Sequence, residues 1–154
     1  SAAMRYILGG WQLNGIFQAQ TGFPLTVTDP VLNIAGFTNR PNMTCDPNEG
    51  GAKSVTQWFD TTCFTRRAVA NTTGLSSQPR NAVRGPGFNR TDLSIFKNFN
   101  FSGSKQIQIR IEGFNIFNQE RVGQPVGNIA AANFGQLTSS DDGRIIQFGA
   151  TFSF

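Results

Sequence analysis

Ile145-Ile146-Gln147-Phe148-Gly149-Ala150-Thr151-Phe152-Ser153-Phe154 ends the sequence and decides its reading. Ile146, Phe148, Ala150, Phe152 and Phe154 fall on one side of an extended chain. Gln147, Gly149, Thr151 and Ser153 fall on the other. A period of two is the mark of a strand with two different faces. Here the apolar set runs to the final residue, where soluble domains usually fray into polar sequence. A strand of about 11 residues rises ~36 Å at ~3.3 Å per residue. Tilted by ~45°, it covers ~25 Å, the height of the apolar band on an outer-membrane β-barrel.

Working backwards, the same alternation recurs over residues 105–117. Ile107, Ile109 and Ile111 oppose Gln106, Gln108, Arg110 and Glu112. An arginine turned to lipid at the bilayer midplane costs ~2–4 kcal/mol, so Arg110 is expected to face a lumen. Glu112 shares that face and is placed to pair with it. Over residues 89–101, Leu93, Ile95, Phe99 and Phe101 oppose Asp92, Ser94, Asn98 and Asn100. Phe96 and Lys97 break the pattern; Lys97 falls on the apolar side and is expected near the rim, snorkelling to water. Residues 9–28 set Trp11, Leu13, Phe17 and Ala19 against Gln12, Asn14, Gln18 and Gln20. Gly22-Phe23-Pro24 predicts a kink or bulge there, because proline donates nothing to a ladder.

These segments, 9–28, 89–101, 105–117 and 144–154, predict an all-β fold of about four antiparallel transmembrane strands. Ser102-Gly103-Ser104 reads as a tight turn. The connections 29–88 and 118–143 are long and are expected as extracellular loops, the first with room for a small hairpin around Val55–Phe64. Short periplasmic turns alternating with long outer loops are the habit of outer-membrane barrels. Structureless connections of about 60 residues are uncommon in compact domains.

Composition narrows the function. Phe occurs 15 times against one Tyr, Gly 17 times, and charged residues make up 14%, below the ~25% of an average soluble domain. Asn, Gln, Ser and Thr supply the polarity. A net charge of +4 without a dense basic patch points away from nucleic acid. With no histidine, the usual Ser-His-Asp, Cys-His and histidine-metal sites are excluded, so neither a catalytic site nor a cofactor or metal is expected. No run of about 18 apolar residues suggests a membrane helix. The chain opens Ser1-Ala2-Ala3-Met4, already near strand-like sequence. That start reads as a cut end, and a piece of a longer barrel is expected.

Several motifs then resemble one family. Gly9-Gly10-Trp11-Gln12-Leu13-Asn14-Gly15 followed by Gln20-Thr21-Gly22-Phe23-Pro24 resembles a late-barrel strand of TonB-dependent receptors of the Oar-like group, whose members carry an N-terminal carboxypeptidase-regulatory-like domain. Trp58-Phe59-Asp60-Thr61-Thr62-Cys63-Phe64 and Arg84-Gly85-Pro86-Gly87-Phe88 are similar to its outer segments. Asp92-Leu93-Ser94-Ile95-Phe96-Lys97-Asn98-Phe99, Arg110-Ile111-Glu112-Gly113-Phe114-Asn115-Ile116-Phe117-Asn118 and Phe134-Gly135-Gln136-Leu137 continue the series in order. The resemblance covers most of the chain. It implies the C-terminal end of a barrel of ~22 strands around a plug, importing a scarce ligand with energy delivered through TonB. The TonB box, plug and most of the barrel are not in this sequence. The terminal Phe154, with Phe152 and Phe148, resembles the signal read by the barrel-assembly machinery.

The resulting expectations are specific. Trp11, Leu13, Phe17, Leu93, Ile95, Phe99, Ile107, Ile109, Ile111, Ile146, Phe148, Phe152 and Phe154 should meet outer-membrane lipid. Asp92, Arg110 and Glu112 should face the lumen, with the rest of the barrel and the plug as neighbours. Cys45 and Cys63 suit an oxidising compartment; a disulfide and two free thiols both remain open. Residues 61–90 hold Arg66, Arg67, Arg80, Arg84 and Arg90 with no acid, which fits a solvated loop or an anion-attracting surface. Asp141-Asp142-Gly143 reads as a turn. The competing reading is a soluble or surface-exposed β-sandwich, an adhesin or carbohydrate-binding module. Its inner face would be the row assigned here to lipid.

Overall fold

Alternation marks a strand, but ladder hydrogen bonds decide where it stops. The computed structural model describes residues 2–30, 39–67, 76–101 and 104–154. Its elements, in chain order, are α1 (Ala2–Leu8), β1 (Trp11–Gln20), β2 (Pro24–Leu25), β3 (Asn42–Met43), a 3-10 turn (Thr61–Cys63), β4 (Phe64–Thr65), β5 (Val83–Arg84), β6 (Phe88–Asn100), β7 (Gln106–Phe114) and β8 (Ile145–Ser153). They form two compact units. One comprises Ser1–Gln20, Phe88–Glu120 and Asp142–Phe154; the other comprises Thr21–Gly87 and Arg121–Asp141.

The first unit is a four-stranded antiparallel sheet in the order β1-β6-β7-β8. The fold is all-β, with α1 a short helical exception. Register carries one apolar row across the sheet: Leu13 lies opposite Ile95, Ile95 opposite Ile111, and Ile111 opposite Phe148. The adjacent residues make a polar row, Asn14, Ser94, Glu112 and Gln147, on the other face. Because side chains alternate, one residue of slip would exchange the two faces of a strand. The four strands have 10, 13, 9 and 9 residues, longer than the ~5–6 typical of strands in globular proteins. Among the described residues of this unit no second sheet covers the apolar row. Leu13, Phe17 and Phe148 are 69%, 70% and 77% exposed, which a sandwich interior would not allow.

The first strand is shorter than the expected 9–28. Residues 2–8 form α1, and Gly10 makes the turn into β1 at φ +73°, a left-handed conformation that glycine adopts freely. A side chain at Gly10 would run into the Asn98 carbonyl. At the other end, Pro24 and Leu25 leave the large sheet and pair with Arg84 and Val83 in the second unit. Gly22 lets the backbone there pass against the Gly85 carbonyl. Glycine and proline thus break the strand where the kink was expected, and β1 ends at Gln20. The other strands stop within a few residues of their expected bounds. Of the turn at Ser102-Gly103-Ser104, Ser102 and Gly103 lie outside the described residues; Phe101 N–H donates to the Lys105 carbonyl at 2.9 Å.

The two long connections between the strands fold together into the second unit. It holds a core of Val27, Phe59, Cys63, Phe64 and Val83, all buried. Phe59, Phe64 and Phe134 pack edge-to-face with centroids 5.3–6.0 Å apart, a favourable arrangement of ring quadrupoles. No hairpin forms over Val55–Phe64, where the first connection had room for one. Instead β4 pairs with β3, and β5 with β2. Single bridges join Thr28 to Asn128, Val122 to Ser140 and Pro125 to Leu137. These draw residues 121–141 into the same unit. Residues 31–38 and 68–75 of the long connection lie outside the described residues.

Candidate functional site

The two faces of the sheet carry opposite chemistry. On the apolar face, β1 places Trp11, Leu13 and Phe17, and β6 places Leu93, Ile95 and Phe99. Ile107, Ile109 and Ile111 follow from β7, and Ile146, Phe148 and Phe152 from β8. Phe154 follows β8 and is 90% exposed, its ring 5.8 Å from that of Phe152. All the residues expected toward lipid on the strands therefore share one face. Among the described residues, by contrast, the buried hydrophobic ones lie in the second unit: Val27, Phe59, Cys63, Phe64, Val83 and Leu137.

Asp92, Arg110 and Glu112 share the opposite face. Arg90 Nε meets Asp92 Oδ1 at 2.9 Å, and the Asn115 backbone N–H donates to the same oxygen at 2.8 Å. Arg110 Nε lies 3.6 Å from Glu112 Oε2, and Gln147 Nε2 donates to that oxygen at 2.7 Å. Gln108 donates to Asn98 Oδ1 at 2.9 Å. These contacts form a self-satisfied polar surface whose half-exposed ion pairs contribute little stability individually. The face is not uniformly polar. Ile16, opposite Asp92, is 60% exposed there, and Phe96 lies between Gln12 and Arg110. Strict counting by twos from Gln12 would have revealed Ile16.

Lys97 is on the apolar face, as alternation required, and close to the end of its strand, but its head does not reach water. It is 6% exposed. Its ammonium donates to the carbonyls of Ile7, at 3.0 Å, and Gly9. It also lies 4.8 Å above the Trp11 ring and 5.3 Å above Phe99. Trp11 Nε1 donates to the Ile7 carbonyl at 2.9 Å. The last carbonyls of a helix lack partners and carry partial negative charge, so the end of α1 is a natural seat for a cation. Sequence reasoning missed these partners because they are backbone atoms of a segment not read as helix.

Beyond β7, Asn115 and Asn118 hold φ of +52° and +51°, which asparagine tolerates better than most residues. The Asn115 amide donates to the Gln119 carbonyl and accepts from its N–H, both at 2.8 Å. Asn118 Oδ1 accepts from Arg144 N–H at 2.9 Å. The Gly-Phe-Asn-Ile-Phe-Asn motif thus has a local cause: two side-chain amides close the connection between β7 and β8.

In the second unit Cys45 and Cys63 form a disulfide, Cα atoms 5.1 Å apart. Asp60 caps the 3-10 turn, accepting from Thr62 Oγ1 at 2.7 Å and Thr62 N–H at 2.9 Å. Those bonds, the hydroxyl first, hold its carboxyl below the ordinary range. Asp46 is lowered by the Asn48 backbone N–H and then its amide. Asp60 and the two sulfurs lie within 4.8 Å of one another, but a disulfide offers no thiolate to a metal. Asp29, 1% exposed, receives Arg66 through Nε and Nη2, both at 3.0 Å. That hydrogen bonding raises the Arg66 pKa above its ordinary value. Of the arginines in 61–90, Arg66 and Arg90 are therefore in ion pairs. Asp141 of the acidic turn meets Arg121 at 3.1 Å.

A family model described as an outer membrane beta barrel domain matches residues 1–147. No curated protein and no solved structure matches the chain.

Proposed function

The chain belongs to the outer membrane beta barrel domain family and lies in the bacterial outer membrane, and we propose that it is the C-terminal barrel segment of a TonB-dependent receptor that imports a scarce ligand. The carrying observation is the two-faced sheet, with an exposed apolar row backed by paired charges. In this reading hydrocarbon covers the row from Trp11 to Phe154, because backbone and apolar side chains are both satisfied in a closed barrel wall. Asp92, Arg110 and Glu112 line the lumen beside the plug. The edges of β1 and β8 are completed by the rest of the barrel, since an open edge has no place in hydrocarbon. The second unit, built from the two long connections between strands, contributes to ligand capture. No residue acts as a catalyst or holds a cofactor.

The test is made in living cells with Gln108→Cys on the lumen face and Ile109→Cys on the lipid face. A hydrophilic maleimide should label the first and spare the second. TonB-driven plug movement should make labelling at position 108 fall when the proton motive force is collapsed. Labelling at 108 that ignores the proton motive force would remove TonB dependence and leave the barrel. Equal labelling at both positions would remove the assignment of faces.

A further inference from the structure

A cleft of about 460 Å³ opens between α1 and the apolar face of the sheet, walled by Tyr6, Ile7, Trp11, Ile95, Phe99, Ile109 and Ile111, with Lys97 also in its wall. Nothing in the polar-face network reaches it. We propose that this cleft seats one acyl chain of a phospholipid from the periplasmic leaflet. The proposal rests on the reading that the apolar face meets lipid, and it adds a particular bound chain to that general contact.

Three observations favour this occupant. The lining is almost wholly apolar, and the volume lies within the ~300–1,000 Å³ common for ligand seats. Secondly, the cleft is continuous with the row Leu13, Ile95, Ile111 and Phe148, so whatever solvates that row has direct entry. Thirdly, its walls are fixed before any ligand arrives. Tyr6 Oη donates to the Asn100 carbonyl at 3.2 Å, and Trp11 and Lys97 both bind the Ile7 carbonyl. A preformed seat loses less conformational freedom on binding. Ile7, Leu8 and Trp11 remain 67%, 70% and 59% exposed, so the protein itself does not close it.

The leaflet follows from position. Trp11 begins β1 and pairs with Lys97, near the end of β6 that leads into the short connection to β7. Short connections are periplasmic in this class of barrel. The headgroup should matter little. Lys97, the cation in the wall of the cleft, already spends its ammonium on the Ile7 and Gly9 carbonyls.

The experiment uses the whole barrel in phosphatidylethanolamine bilayers, with brominated phosphatidylethanolamine as the quencher. One protein carries Trp11 as its sole tryptophan, Trp58 and every tryptophan in the rest of the barrel being replaced by Phe, and the second protein is made in that same background. Another carries Trp11→Phe, Trp58→Phe and Phe17→Trp, reporting on open lipid-facing surface. Quenching of Trp11 is expected to be half complete at a roughly tenfold lower fraction of brominated lipid than quenching at position 17. Replacing brominated phosphatidylethanolamine by brominated phosphatidylglycerol should leave both curves in place. Filling the cleft with Ile95→Phe and Ile109→Phe should bring the Trp11 curve onto the other. Coincident curves in the unfilled protein, or a Trp11 that no lipid quenches while position 17 responds, would overturn the proposal. An early Trp11 curve that filling leaves unmoved would overturn it too. No quenching at position 17 would instead overturn the lipid-face reading beneath it. Should the filled variant fail to fold, comparison of the two unfilled proteins still decides.

Discussion

Asp92 accepts the backbone N–H of Asn115 at 2.8 Å, tying β6 to the turn that ends β7. The same carboxylate oxygen receives Arg90 from its own strand. A left-handed asparagine and an ion pair thus share one acceptor.

Removing that acceptor should loosen the turn. Asp92→Ala leaves the Asn115 N–H without its partner, and a loss of about 1–2 kcal/mol is expected. Asn115→Ala should also be costly, because alanine at φ +52° bears a left-handed strain of about 1 kcal/mol and loses both Gln119 bonds. Asn115→Gly should fall between alanine and the parent. Denaturant midpoints in detergent check the order, and a glycine variant no better than alanine would refute the backbone argument.

The faces should answer differently to charge. Phe148→Arg places a cation in the apolar row and is expected to cost ~2–4 kcal/mol if that row is near the bilayer midplane. Gln147→Arg, one residue away on the polar face, should cost well under half of that. Folding yields in bilayers of defined thickness provide the measurement. Equal penalties would contradict the assignment.

The second unit should behave as a cross-linked domain. Replacing Cys45 and Cys63 by Ser frees a segment spanning 18 positions, and a loss of about 3 kcal/mol is expected. Phe59→Ala, deleting a ring with no exposure, should cost about 3–5 kcal/mol. Limited proteolysis should show cleavage rising within residues 39–67 while the strands stay protected. Cleavage spreading equally into β6 and β7 would show that the units do not melt separately.

Acid should weaken the same unit. Asp60 and Asp46 are both held below the ordinary carboxylate value of 3.8. A depressed folded pKa means the unfolded chain binds protons first, so the stabilisation is complete above that value. It is lost as pH falls from about 4 through the lower folded values. Asp60→Asn, which keeps an acceptor but no charge, should flatten part of this dependence. Midpoints of the second unit measured from pH 6 to 2 check it; an unchanged slope would remove Asp60 from the account.

Detaching Lys97 should free α1. Lys97→Met removes both carbonyl bonds and the contact with Trp11. Amide exchange in Ala2–Leu8 is expected to accelerate at least about tenfold, while exchange in β7 stays constant. Acceleration across all four strands would mean that Lys97 supports the sheet rather than the helix.

The strands were legible because their cause is local and repetitive. Each turns alternate side chains to different surroundings, and Ile107, Ile109 and Ile111 write that out directly. The second unit was not legible because its causes are long-range. Val27, Phe59 and Val83 meet from distant parts of the chain, and two-residue strands leave no period to read. Cys45 and Cys63 were visible as a pair, though only the fold brings them within bonding distance. The helix was missed for a different reason. Ala-Ala-Met-Arg-Tyr-Ile-Leu is shorter than the ~12 residues at which isolated helices become even marginal, and its end is secured by Lys97, 90 positions beyond Ile7. Lys97 itself was assigned to the correct face and the wrong surroundings, since alternation specifies direction and says nothing of what has folded over it.

The confinement of buried apolar side chains to the second unit has a calorimetric consequence. Unfolding gains heat capacity when apolar surface passes into water. Strands that separate while still bathed in hydrocarbon expose little of it. Heating in a bilayer should therefore yield a step in baseline from the second unit and almost none from the sheet, so one polypeptide would display the thermal curvature of a small water-soluble domain alongside the nearly straight stability line of a lipid-solvated wall.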